Sequence, residues 1–230
     1  MKTIGLIGGM SWESSLEYYR LINQDVRLRL GGNHSAKSLM WSVDFAEIEE
    51  LQHAGKWSEL TDKMCQAAQN LQKGGADFIV ICTNTMHRMA EEVEASISIP
   101  LLHIADATGS EIQRKNIKKV GLLGTEFTMK QQFYTGRLAE KFALDVIIPN
   151  DEDCQTVHRI IYQELVAGVI KEESRQQYRQ IMQKLVDRGA EAIILGCTEI
   201  MLLISQADSV VPIFDTTAIH AKAAVDLALA

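Results

Sequence analysis

Apolar residues along this chain fall into two alternating kinds of segment. Short runs rich in leucine and β-branched residues, such as Ile4-Gly5-Leu6-Ile7 and Ala192-Ile193-Ile194-Leu195, read as strands buried on both faces. Between them, longer stretches carry apolar residues at helical spacing and predict helices at 12–30, 56–73, 106–115, 128–142, 153–167, 174–188 and 217–229. Ser11 or Ser14 is suited to cap the first helix, and Gly74 and Gly189 to end two others. Strands alternating with helices are the signature of parallel βαβ units.

The strands also repeat. Lys2-Thr3-Ile4-Gly5-Leu6-Ile7-Gly8 returns as Lys118-Lys119-Val120-Gly121-Leu122-Leu123-Gly124. Gly75-Ala76-Asp77-Phe78-Ile79-Val80-Ile81-Cys82-Thr83-Asn84 parallels Gly189-Ala190-Glu191-Ala192-Ile193-Ile194-Leu195-Gly196-Cys197-Thr198, and Ile99-Pro100-Leu101-Leu102 parallels Val211-Pro212-Ile213-Phe214. The matches keep their order, so the chain reads as two copies of one unit of about half its length. The expected fold is α/β, with two pseudo-symmetric halves, each a small parallel sheet flanked by helices, and a site in the cleft between them. Residues 210–230 resemble the end of the first copy. They are expected to cross back, giving one domain of 1–106 plus 210–230 and a second of 107–209.

Composition narrows the chemistry. With 47% hydrophobic and 23% charged residues among 230, the chain has the material for one or two cores. No run approaches the ~20 uncharged apolar residues of a membrane span. The start Met1-Lys2-Thr3-Ile4 enters a strand-like segment without a small-residue cleavage site, so a cytoplasmic address is expected. A formal net charge of −7 without a basic block argues against nucleic acid. The scattered cysteines, Cys65, Cys82, Cys154 and Cys197, do not make a disulfide framework, and neither they nor the histidines show metal-ligand spacing. The glycines after the first strand, Gly5, Gly8 and Gly9, lack the spacing of a nucleotide loop.

Ligands of open parallel sheets lie beyond the carboxyl ends of the strands. That rule selects four loops: Gly8-Gly9-Met10-Ser11-Trp12, Thr83-Asn84-Thr85, Gly124-Thr125-Glu126-Phe127-Thr128 and Cys197-Thr198-Glu199. Their Ser, Thr and Asn residues are helix caps at the least. Two such loops in each copy argue for more, and Ser11, Asn84, Thr85, Thr125 and Thr198 are the natural donors to ligand carboxylates. The repeat puts Thr83 and Cys197 at one position of the two halves. Acid/base groups on opposite faces of one tetrahedral carbon take a proton from one side and return it on the other, which is 1,1-proton transfer.

Four pieces of sequence resemble the cofactor-independent aspartate/glutamate racemase superfamily: Ile4-Gly5-Leu6-Ile7-Gly8-Gly9-Met10-Ser11, Asn84-Thr85-Met86-His87, Gly124-Thr125 and Gly196-Cys197-Thr198-Glu199. They span essentially the whole chain in the family's order. The resemblance implies a pseudo-symmetric two-domain fold, a homodimer, a small acidic amino acid as substrate, and no pyridoxal phosphate, flavin or metal. Glu199 stands where glutamate racemases typically carry a histidine, which makes the aspartate racemase branch the closer match. Cys197 matches the family's second catalytic cysteine and Thr83 the place of the first. By family analogy, Met10 and Gln52 shape the pocket, and Glu199 is counted among the substrate-binding residues. The segment 48–52 lacks the basic residue that aspartate-binding relatives often use there.

The threonine makes the expected enzyme lopsided. A thiol near ~8.5 is lowered further by a helix N-terminus and becomes a base near neutrality, whereas an unassisted hydroxyl does not. Cys197 is therefore expected to attack the L-substrate, as the family's second cysteine does, while Thr83 donates or relays a proton on the other face. Cys82, one place earlier on a strand, points the other way and does not replace the missing thiol. His87 reads first as a packed or capping residue and second as a group that orients a neighbour at the cleft, the methionines Met86, Met89 and Met201 as core, and Trp12 as either a cover at the mouth or a buried residue. Two rival readings remain: a single-thiol decarboxylase or isomerase of the same superfamily, and a non-catalytic amino-acid-binding module.

Overall fold

The computed structural model describes residues 1–230. Its elements run β1 (Ile4–Gly8), α1 (Trp12–Leu30), β2 (Ser38–Ser42), α2 (Phe45–His53), α3 (Trp57–Lys73) and β3 (Phe78–Ile81). A 3₁₀ turn, Thr85–Met89, leads into α4 (Ala90–Ala95), β4 (Leu101–Leu102) and α5 (Ile104–Arg114). The second copy has β5 (Lys119–Gly124), α6 (Glu126–Lys130), α7 (Gln132–Phe142), β6 (Asp145–Ile147) and α8 (Asp151–Gln163). It continues through a 3₁₀ turn, Leu165–Ala167, to α9 (Glu172–Asp187), β7 (Ala192–Gly196), α10 (Ile200–Leu203), β8 (Ile213–Asp215) and α11 (Thr216–Leu229).

The strands form two four-stranded parallel sheets of the same order, β2-β1-β3-β4 and β6-β5-β7-β8. This is the α/β architecture of paired, similar halves that the repeat predicts. The matched glycines carry the repeat into the backbone. Gly75 and Gly189 both sit at left-handed φ, +97° and +92°, where a side chain is strained, and each turns the chain from a helix (α3 or α9) toward a strand (β3 or β7).

In the first sheet, side-chain alternation sorts the apolar residues into two cores. Ile7, Ile79 and Ile81 pack with α2 and α3 through Ile48, Leu60, Met64 and Ala68. Ile4, Leu6, Phe78, Val80 and Cys82 face the other way, onto Tyr18, Ile22 and Val26 of α1 and Ala221, Ala224, Val225 and Ala228 of α11. In the second sheet the fully buried residues of β5 and β7, among them Val120, Leu122, Ile193 and Ile194, are covered by helices including α6, α8 and α9.

The chain divides into one unit of Met1–Ile104 with His220–Ala230 and another of Ala105–Ile219. Residues 210–219 thus fall in the second unit, not the first as the sequence reading had it, because β8 pairs with β7 in parallel register. Only the helix that follows it belongs with the first core. Three other differences are local. The helix expected over 128–142 breaks at Gln131, which is extended (φ −99°, ψ 148°), so α6 and α7 are separate. The one expected over 153–167 ends at Gln163 and finishes as a 3₁₀ turn. Strands β2 and β6 and helix α2 carry no clear sequence pattern, and both strands are sheet edges. No helix is long and apolar enough to cross a membrane.

Candidate active site

In the first unit, β1 and β3 pair side by side, so the loops at their carboxyl ends leave the sheet together. Ser11 caps α1, accepting from the Ser14 main-chain N–H at 3.4 Å. Ser14 is not the cap; its hydroxyl donates to the Cys82 carbonyl at 2.7 Å and ties the first loop to the second. Gly9 donates to Ser15 Oγ at 2.7 Å and passes so near β2 that a Cβ there would lie 2.2 Å from the Val43 carbonyl oxygen. Ser11, Asn84 and Thr85 are buried at these loop starts, and Thr83 is half-buried.

Gln52 is buried on α2, and its amide donates to Met86 Sδ at 3.3 Å, next to Thr85 in sequence. Met10 belongs to the core formed with Ile7, Ile48 and Met86, so both lie against the loops that carry Ser11 and Thr85. Trp12 is 65% exposed, which removes the reading of it as a buried residue. Cys82 is fully buried in the core facing α1, and burial holds its thiol far above the ordinary range. It faces away from the loop, as strand alternation requires.

The second unit repeats the arrangement with β5 and β7. Gly124 and Gly196 are register partners, and a Cβ on Gly124 would meet the Gly196 carbonyl oxygen at 2.8 Å. Small residues at both positions let the loops of Thr125 and Cys197 start side by side. Thr125 caps α6, accepting from the Thr128 N–H at 3.3 Å, and its hydroxyl lies 3.2 Å from that of Thr128.

The loop after β7 differs from its counterpart after β3. The Cys197 thiol donates to Glu199 Oε2 at 3.0 Å, and the Thr198 hydroxyl donates to the same oxygen at 2.8 Å. Glu199 is 4% exposed, so this carboxylate is presented to the thiol rather than to bulk water. Burial first, then the charge of Glu199 and the hydrogen bond to it, push the Cys197 thiol well above its ordinary value of 9.0; the main-chain N–H groups of Glu199 and Thr198 pull the other way. The expected lowering by a helix N-terminus is therefore corrected. The following helix, α10, is a single turn, too short to outweigh a buried carboxylate.

Sequence reading missed two features. It placed Glu199 at the substrate without seeing its bond to Cys197, for which the Cys-x-Glu spacing is a faint signal at most. It also missed a polar assembly behind the β3 loop. His87 lies between the Thr83 carbonyl, 2.8 Å from Nδ1, and the Ile104 N–H, 3.3 Å from Nε2. His220 lies between Tyr18 Oη and the Leu102 carbonyl, 2.8 Å from each. The rings of His87 and His103 pack at 4.6 Å, and those of His87 and His220 at 5.7 Å.

Comparison with known proteins agrees over the whole chain. Residues 7–224 match the family model of the Asp/Glu/hydantoin racemases. The broad specificity amino-acid racemase RacX of Bacillus subtilis is 31% identical over 176 residues, 75% of this chain and 74% of that protein. Among solved structures, a Yersinia pestis protein provisionally assigned as an Asp/Glu racemase superposes with a TM-score of 0.94 at 55% identity, covering 100% of both chains. An aspartate racemase homologue from Pyrococcus horikoshii gives 0.86 at 35% identity, again over 100% of both.

Proposed function

Because this chain belongs to the Asp/Glu/hydantoin racemase family, we propose that it is a cofactor-independent amino-acid racemase of the aspartate/glutamate type, working by 1,1-proton transfer with preference for the L-enantiomer. The observation that carries the reading is the 3.0 Å bond from the Cys197 thiol to the Glu199 carboxylate at the mouth of β7. A half-buried thiol that is held protonated needs a proton acceptor before it becomes a base, and Glu199 is in bonding distance to be one.

The steps balance. The Cys197 S–H bond breaks as an O–H bond forms on Glu199. The thiolate then takes the α-proton of the L-amino acid, and the electron pair left on carbon spreads into the α-carboxylate. Donors preorganised around that carboxylate stabilise the developing charge. Ser11, Asn84, Thr85, Thr125 and Thr198, with the main-chain N–H groups of their loops, are assigned this part. Met10 and Gln52 shape the pocket. Thr83 delivers a proton to the opposite face, drawing on water, and Glu199 returns its proton to solvent. The same reading takes the protein as a cytoplasmic homodimer whose substrate is a small acidic amino acid. Its likeness to a broad-specificity racemase makes uncharged and basic amino acids worth offering as well.

The test is proton NMR in deuterated buffer, with L- and D-aspartate and L- and D-glutamate offered separately to wild type and to Cys197→Ala. Fast α-exchange from an L-substrate, lost in the variant, is the expected result. Exchange confined to D-substrates would reverse the assignment of the faces. No exchange from any amino acid offered would leave a binding protein or a decarboxylase, the latter detected by carbon dioxide release from substituted malonates.

A further inference from the structure

We infer that His87 is the positioning residue for Thr83: a neutral imidazole that clamps the Thr83 main chain and thereby aims its hydroxyl at the substrate. The inference rests on the racemase reading for its kinetic consequence, while the clamp itself is a matter of geometry.

The partners of the ring fix its protonation. A carbonyl only accepts and a main-chain N–H only donates, so Nδ1 carries the proton toward Thr83 O at 2.8 Å and Nε2 accepts from the Ile104 N–H at 3.3 Å. Both nitrogens are used, which leaves the ring neither a free base nor a metal ligand. At 1% exposure and packed against His103 and His220, it has little freedom to turn. His220 is fixed in the same way: its Nε2 donates to the Leu102 carbonyl at 2.8 Å, leaving Nδ1 to accept from the Tyr18 hydroxyl.

What the clamp holds is the first turn after β3. The His87 N–H donates to the Asn84 carbonyl at 3.1 Å while its ring donates to the Thr83 carbonyl, so one residue secures two consecutive peptide groups. Thr83 is β-branched, with few χ1 choices for a given backbone. Fixing its main chain therefore restricts where Oγ1 points. The matching place after β7 is Met201, which has no such donor. The clamp belongs to the half whose reactive residue is a hydroxyl, a group with little driving force of its own and the most dependent on orientation.

The kinetic signature is a split between the two faces. In deuterated buffer, return of deuterium to the L-product reports on Cys197, and D-product reports on delivery from Thr83. His87→Phe keeps a ring and loses both hydrogen bonds. It should leave L-exchange within a few-fold of wild type and cut D-product by about a hundredfold, the cost of misplacing a reacting group by an ångström. His87→Asn, whose amide can reproduce the Nδ1 donor, should recover D-product, and His87→Gln should not. Loss of both signals in parallel, or D-product unchanged in His87→Phe, would overturn the proposal. If His87→Phe does not fold, the Asn and Gln pair decides by the same ratio. Nitrogen-15 spectra of the imidazoles near neutral pH test the clamp without any turnover. A protonated Nδ1 and bare Nε2 on His87 are expected, and the other tautomer or an imidazolium would overturn it even if no racemase activity is found.

Discussion

The two halves share strand order and loop placement, yet they hold Thr83 and Cys197, the residues our proposal assigns to proton transfer, by different means. Cys197 is hydrogen-bonded through its side chain to a buried carboxylate. Thr83 is held through its main chain by a histidine, which supplies direction and no charge. Position in the duplicated fold is common to both. In the proposed reaction, the chemistry of each position depends on the residues two and four places further on, Glu199 in one half and His87 in the other.

Three changes would test this contrast, and a fourth probes the scaffold behind it. Cys197→Ala should have the largest effect, lowering α-exchange from L-substrate by about 10⁴-fold, the upper end for loss of a proton-transfer group. Glu199→Gln should lower it by about 10²-fold near neutrality. Without the carboxylate's charge and hydrogen bond the thiol titrates lower, but burial, the largest cause of its shift, remains. Alkylation of Cys197 by iodoacetamide should therefore begin at lower pH than in wild type even as exchange falls. Movement of both in the same direction would break the assignment of Glu199. Thr83→Cys should raise exchange from D-substrate by about tenfold, short of a full catalytic contribution, because His87 is committed to the main chain and offers a new thiol no acceptor.

The smallest effect on turnover belongs to His220, whose signature is stability. Burial holds this imidazole at about 4 against an ordinary 6.5, opposed by its bond to the Leu102 carbonyl. As the pH falls below 6.5 the unfolded chain takes up the proton first. The stabilisation present above 6.5 is thus lost as the pH approaches 4, about 3 kcal/mol in all. Thermal melts of wild type and His220→Gln across that window should converge toward the acid end. A constant gap would mean the ring is not titrating as a buried neutral group.

Much of the fold is legible in the sequence because duplication leaves its mark where physics is strict. Buried parallel strands read as continuous apolar runs, and Gly75 and Gly189 recur because both turn through left-handed backbone. The edge strands β2 and β6 have no fully buried residue, so neither an apolar run nor alternation marks them. The allegiance of β8 is a matter of register with β7, which local pattern does not encode. At the site, Cys197 and Thr83 are legible as repeat partners. The bond from Cys197 to Glu199 depends on the loop conformation, and His87 reaches Ile104, 17 residues away, across a turn, a helix and a strand. Contacts of that kind have no periodicity to betray them.

The return of α11 sets an order on synthesis. Ala221, Ala224, Val225 and Ala228 complete the core that Ile4, Leu6 and Tyr18 begin, and Lys2 donates to the Ala228 carbonyl at 2.8 Å. In synthesis those residues follow every strand of both sheets. The half that emerges first is thus finished after the strands of the other: until α11 is made, one face of its sheet is covered by α1 alone, while the second unit already has all its strands. A nascent chain stalled before residue 220 carries a second unit ready to close and a first unit with the α11 side of that apolar face still open to chaperones.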